Sequence, residues 1–207
     1  MKPTALLKNK QILFITATNT DVGKSYACEH FLKKYSKEGL KVGYFKPIET
    51  GVNPTPLDGT RLLKLTQELN PDFMVTLFDV VPYQFELPAA PYVAKKKNNI
   101  DINVIVQKMH HLLNFCDILI IEGAGGLMVP IEKEYFMIDL IKTLHAKAFL
   151  IVPSHLGSIN DTLLSMEALK NRHIEFDWYI NLYKDKETFS TITLPFYEAY
   201  FDEIKYL

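Results

Sequence analysis

Neither sign of charge is in excess in this 207-residue chain: 23 Lys and Arg stand against 24 Asp and Glu, for a formal net charge of -1. Without a basic surplus there is no electrostatic footprint for nucleic acid or an anionic membrane, and neither is expected as a partner. Cysteine is scarce. Cys28 and Cys116 fit neither a zinc nor a redox spacing, so both read as buried free thiols. The opening MKPTALLKNK lacks the apolar core of a secretory signal, and no run approaches the ~20 apolar residues of a membrane span. A cytoplasmic location is the expectation. Repeats, low-complexity tracts and domain boundaries are also missing, so residues 1–207 read as a single domain, long enough to bury a core.

What is present is an alternation of short apolar runs with longer helical patterns. Strands are expected over 11–17 (QILFITA), 41–45 (KVGYF), 117–122 (DILIIE), 148–153 (AFLIVP) and near FDWYIN. Helices are expected from Ser25 to a stop at Gly39, in TRLLKLTQEL behind Asp58 as N-cap, over 100–115 behind Asp101, near 136–144 and over 158–171. VTLFDVVPYQF fits a strand or an extended connection, and Lys95-Lys96-Lys97 a solvated helix end. The pattern predicts an α/β chain with a mostly parallel sheet and helices on both faces. Such sheets place ligands in loops at the carboxyl ends of strands, here ATNTDVGKS, KPIETG, EGAGG and PSHLGSIN.

The first of these loops joins a strand to a helix and ends in Gly23-Lys24-Ser25, the tail of a phosphate loop. Backbone N–H groups at the helix start would cradle phosphate oxygens, Lys24 would neutralise the terminal phosphates, and the Ser25 hydroxyl would ligate Mg²⁺. The spacing G-x-x-x-x-G-K-[ST] requires glycine at position 18, where this chain has Thr18. Instead, Ala17-Thr18-Asn19-Thr20-Asp21-Val22-Gly23-Lys24-Ser25 resembles the dethiobiotin synthetase loop G-T-D-T-[DE]-V-G-K-T, with Ala17 in the leading position. Three further segments are similar to that family in order. GYFKPIETG resembles G-x-x-K-P-[IV]-x-[ST]-G and places Lys46 and Thr50. Glu122-Gly123-Ala124-Gly125-Gly126 reproduces hhhEGAGG behind a Walker B-like strand. SHLGSIN resembles x-x-L-G-x-[IL]-N.

The resemblance implies a P-loop NTPase-type fold and an ATP-dependent cyclo-ligase that joins CO2 to 7,8-diaminopelargonate. It implies Thr20, Asp21, Val22, Gly23, Lys24, Ser25 and Tyr26 on ATP, together with Asp58, Glu122, Gly123, Ala124, Gly125 and, at the base, Asn181. It further implies Mg²⁺ on Ser25, Asp58 and Glu122, Lys46 as the catalytic residue, and Thr50, Gly157, Ser158 and Asn160 on substrate. The active site would lie at the interface of a homodimer. A transfer of this type requires no protein nucleophile, and no nucleophile elbow or Cys/His signature is present.

Two departures stand out. Asn181 lacks the acid that follows it in the family, and the longer C-terminal segment with an I-P motif is reduced to Leu194-Pro195, so the base preference among ATP, GTP and CTP stays open. FYEAYFDEIKYL is expected to pack on the body. His155 reads equally as a substrate-carboxylate contact or a solvated loop histidine, and the other histidines share no metal spacing. A ParA-like ATPase switch is the alternative from another class. Its signature lysine would fall at Asn19.

Overall fold

The apolar runs meet in one sheet because each is apolar throughout rather than in alternation, and so must be covered on both faces. A computed structural model describes residues 10–183 and 186–207; the start of the segment read for a targeting signal, residues 1–9, lies outside the described residues. Chain order is β1 (Gln11–Ala17), α1 (Lys24–Lys37), β2 (Val42–Phe45), β3 (Ile48–Thr50), α2 (Leu57–Leu69), α3 (Leu77–Val80), β4 (Tyr83–Phe85), α4 (Pro91–Ala94) and α5 (Ile102–Leu112). There follow β5 (Ile118–Gly126), β6 (Pro130–Glu132), β7 (Tyr135–Phe136), α6 (Met137–Thr143), β8 (Lys147–Pro153), α7 (Ser158–Asn171), β9 (Phe176–Asn181), α8 (Lys186–Ile192) and α9 (Leu194–Tyr200).

The central sheet has the order β2-β5-β1-β8-β9, with every pairing parallel. Residues 118–121 and 150–152 are fully buried. Phe31 of α1 packs edge-on against Phe149 at 4.8 Å and Tyr179 at 5.0 Å, fastening the helix after the phosphate loop to the β8–β9 side. Both cysteines are buried and free, as expected. The C-terminal segment also packs on the body: Tyr197 and Phe201 flank Trp178 at 5.4 and 4.5 Å, and the Ile180 N–H donates to Lys205 O at 2.8 Å, lengthening the sheet edge.

Several local expectations are corrected. Asp58 is not the N-cap of α2; Pro56 holds that position and Asp58 lies in the first turn, which frees its carboxylate. The ambiguous VTLFDVVPYQF becomes the turn of helix α3 followed by β4, which pairs with β3 in a small parallel sheet of its own. Lys95 is buried against Glu132 at 3.1 Å rather than solvated, because the β6–β7 hairpin carries that acid over α4. Asp101 does cap α5, accepting from the Asn103 N–H at 2.8 Å.

Helix α3 is only one turn long, so its ends decide its stability. Thr76 and Asp79 close a capping box, and Lys108 of α5 reaches Asp79 Oδ1 at 2.7 Å. Burial opposes the Asp79 charge, but the Lys108 and Thr76 hydrogen bonds outweigh it and bring the carboxyl down to about 2. That lies below the ~3.9 of an unfolded aspartate, so the stabilisation is complete above pH ~4 and is lost as pH falls through the folded value. Asp79→Asn is therefore expected to lower the urea midpoint at pH 7 and to differ little from the parent at pH ~2. Equal midpoints at pH 7 would remove Asp79 from the stability of the fold.

Candidate active site

Register brings the two central charges together. Phe45 of β2 pairs with Ile121 of β5, so the next residues on each strand, Lys46 and Glu122, lie side by side at the carboxyl edge of the sheet. Lys46 Nζ donates to Glu122 Oε1 at 2.7 Å and to Asp58 Oδ2 at 3.0 Å. Glu122 is 1% exposed and Lys46 6%. An isolated charge at such depth would be penalised by several kcal/mol, so each requires the other. Ser25 Oγ donates to the same Oε1 at 2.8 Å, and the buried Tyr44 hydroxyl to Oε2 at 2.7 Å, so both carboxylate oxygens have donors. Burial pulls the Lys46 ammonium down, but Glu122 and Asp58 outweigh it and hold its pKa above the ordinary lysine range. Burial likewise opposes the Asp58 charge, and Lys46 overcomes it, lowering that carboxyl.

Asp58 reaches this point because Glu49 caps α2 from outside. The Glu49 carboxylate accepts the N–H groups of Asp58 and Gly59 at 3.1 and 3.0 Å, satisfying two of the donors that a helix start leaves open. Burial raises the Glu49 pKa, with Lys46 opposing. The sequence reading gave Glu49 no role, since an acid in a strand carries no mark of the helix end it will meet.

The phosphate loop completes the cationic side. Gly23, at φ +100°, heads α1. Lys24 is 9% exposed and its Nζ donates to Asn19 O at 3.1 Å, a neutral carbonyl. Burial lowers its pKa, with Lys46 adding to the effect and Glu122 opposing it. A buried ammonium on a neutral acceptor, beside the open N–H groups of a helix start, is matched by an anion. Opposite, β5 loses register with β1 between Glu122 and Gly126, so residues 123–125 leave the ladder. A β-carbon at Gly126 would lie 2.8 Å from Thr18 O, backbone that cannot yield.

These pieces enclose a cavity of ≈ 420 Å³. Thr20, Asp21, Gly23, Lys24, Ser25 and Tyr26 line one side of it; Lys46, Ile48, Glu49, Thr50, Asp58, Glu122, Gly123, Ala124 and Gly125 line the rest. A second cavity of ≈ 560 Å³ shares Thr20, Asp21, Thr50, Ala124 and Gly125, and is otherwise walled by residues 88–91 and Val129. Sequence reasoning missed that wall, whose only mark is the small, Pro-rich run LPAAP. Ser25 and Asp58 are both drawn to Glu122, the first directly and the second through Lys46, and these hard oxygen donors suit Mg²⁺.

Other expected site residues lie elsewhere. Val22 is buried behind the loop, and Asn181 lines neither cavity: its Nδ2 donates to Val22 O at 2.9 Å. Gly157 heads α7 at φ +93°, Ser158 is buried with a hydroxyl that has no hydrogen-bond partner among the described residues, and the exposed Asn160 donates to Asp161 at 3.2 Å. None of the three lines either cavity. His155 sits beside them, its Nδ1 2.8 Å from Leu156 O.

A parallel sheet with a phosphate loop after its central strand and an acid at the end of the neighbouring strand defines a nucleotide-using P-loop domain. A family profile described as "AAA domain" matches residues 11–179. Solved structures share the fold: a putative plasmid partition protein from Borrelia burgdorferi B31 bound to AMPPNP (TM-score 0.60, 13% identity, 96% of this chain and 86% of that one) and the MinD cell division protein of Aquifex aeolicus (TM-score 0.52, 19% identity, 87% and 72%). The chain is 52% identical over 190 residues to the ATP-dependent dethiobiotin synthetase BioD of Sulfurovum sp. (strain NBC37-1), covering 91% of this chain and 90% of that one. It is 41% identical over 189 residues to the BioD of Wolinella succinogenes, covering 90% and 88%. The chain belongs to the ATP-dependent dethiobiotin synthetase family, and is an ATP-dependent ligase.

Tyr44 carries the most local of the site's dependencies. Tyr44→Phe keeps the buried ring and leaves Glu122 Oε2 without a donor, which should destabilise the protein by about 1 to 3 kcal/mol in chemical denaturation. A denaturation curve identical to the parent's would show that Oε2 does not need that hydroxyl.

Proposed function

We propose that the chain carries out the carboxylation and ring closure of 7,8-diaminopelargonate with CO2, at the expense of ATP, giving dethiobiotin, ADP and phosphate. An unprotonated amine of the substrate captures CO2 as a carbamate. The γ-phosphoryl group passes to a carbamate oxygen, and the second amine attacks the mixed anhydride carbon, expelling phosphate and closing the cyclic urea. Every covalent change is between substrates, so the protein has to position them and neutralise charge.

The observation that carries this reading is the Lys46 ammonium, kept charged by Glu122 and Asp58 at the wall of a cavity that also holds Lys24. Lys24 and the amides of Thr20, Asp21, Val22, Gly23, Ser25 and Tyr26 hold the phosphates. Lys46 stands between the transferred phosphoryl group and the carbamate, and Thr50 orients the carbamate. Ser25, Asp58 and Glu122 would hold Mg²⁺, which would neutralise phosphate oxygens. The second cavity, walled by Pro88, Ala89, Ala90 and Pro91, suits the methylene chain of the diamine. The substrate carboxylate is taken by Gly157, Ser158 and Asn160 of a second protomer, a reading supported by Gly157 at φ +93° and the exposed Asn160 at the head of α7. In this reading the active site lies at the interface of a homodimer.

The fold neighbours give the switch reading its support, since a partition protein and MinD share this architecture. Asn19 stands where such switches carry their signature lysine. Among the described residues no helix is long and apolar enough to cross a membrane. ADP release with Mg-ATP separates the two readings: release that requires both bicarbonate and the diamine supports the ligase, and release stimulated instead by DNA or lipid supports the switch. In the same assay Lys46→Met, which keeps the length of the side chain, is expected to lower turnover by about 10²- to 10³-fold. Near-parental turnover would remove Lys46 from the catalytic role.

A further inference from the structure

A phosphate loop binds through its N–H groups, so its carbonyls have to be turned the other way. In a trans peptide the C=O and the following N–H point in opposite directions. Pinning the carbonyls of Asp21 and Val22 therefore aims the N–H groups of Val22 and Gly23. Both carbonyls are pinned from the end of β9. Asn181 Nδ2 donates to Val22 O at 2.9 Å, and the Tyr183 hydroxyl donates to Asp21 O. The loop requires such holding: Asp21 takes φ +56°, a left-handed conformation that few residues other than glycine adopt, and Gly23 takes φ +100°. The Asn181 amide is seated so closely that a β-carbon at Gly23 would run into it. Two further carbonyls are taken from within the loop and its helix, Asn19 O by Lys24 Nζ at 3.1 Å and Gly23 O by the Ala27 N–H at 2.9 Å.

We propose that Asn181 and Tyr183 form a brace that sets the phosphate loop, through which Asn181 serves the triphosphate. Both are positioning residues: neither lines the cavity, whereas Asp21 and Gly23, the residues flanking Val22, do. Asn181 is 6% exposed, and one N–H of its amide is given to Val22 O. The inference rests on the loop binding phosphates. A brace of this kind acts on whatever carries a triphosphate.

The test is displacement of a fluorescent ATP analogue from the full chain by ATP, GTP, CTP and inorganic tripolyphosphate, in the presence of Mg²⁺. Asn181→Ala is expected to weaken all four competitors by the same factor, about three- to tenfold for a lost hydrogen bond. Tyr183→Phe, which removes one oxygen from a half-exposed ring and leaves the core intact, should do the same to a smaller extent. Weakening confined to ATP, with tripolyphosphate unchanged, would overturn the brace and return Asn181 to the base. Unchanged binding of all four by both variants would overturn it as well. A parent protein from which tripolyphosphate displaces nothing would instead remove the phosphate loop itself, and the brace with it.

Discussion

The adjacency of Lys46 and Glu122 is the constraint on which the rest of the site depends. Two opposite charges at 1% and 6% exposure stabilise a fold poorly, because their desolvation offsets most of their attraction. They nonetheless impose strict conditions. The β2–β5 register has to hold to the residue, since a slip of one would turn a charge into the apolar layer beneath. Every remaining lone pair of the carboxylate then needs a donor, which is why a buried tyrosine hydroxyl and the first serine of α1 converge on it. Three consecutive layers, the β2 side chain, the β5 acid and the phosphate-loop helix, are thereby locked to one ångström-scale geometry.

From that pair the site grows outward in two directions of different character. Toward the loop it is rigid and cationic: Lys24 is buried, Gly23 and Asp21 are held in left-handed conformations, and the carbonyls of Asp21 and Val22 are pinned. Toward residues 88–91 it is apolar and built from small side chains. Glu49 links the halves, because by capping α2 it sets where Asp58 falls and hence how Lys46 is shared between two acids. A helix capped by its own N-cap side chain would have left Asp58 with a different task.

How much of this was legible follows from the range of the interactions. Five strands and their parallel arrangement were readable because burial on both faces leaves continuous apolar runs such as ILIIE and FLIV. Lys24, Ser25, Lys46 and Glu122 were readable because each sits at a fixed offset from a strand end, where local sequence sets the geometry. Asp58 was named as a ligand but misjudged as a cap: the competing cap, Glu49, arrives from another strand and leaves no local signature. Lys95 failed for the same reason, since its partner Glu132 is 37 positions away on a hairpin the pattern did not announce. The second cavity was invisible because a wall of Pro and Ala has no chemistry to read, only shape.

The neutral overall charge takes on meaning in this light. A site for a triphosphate and a carboxylate would, if built by accumulating cations, have given the chain a basic surplus and a field attractive to any polyanion. Here Lys46 is matched by Glu122 and Asp58, and Lys24 is left on a neutral carbonyl for a ligand's anion. Oriented N–H groups at the head of α1, and again at the head of α7, add local positive potential without net charge. Dipoles act over a few ångströms, so they select a ligand that fits and ignore a distant polymer. The same economy explains why loop carbonyls have to be held so firmly: a dipole that rotates loses its sign, whereas a lysine that moves keeps its charge.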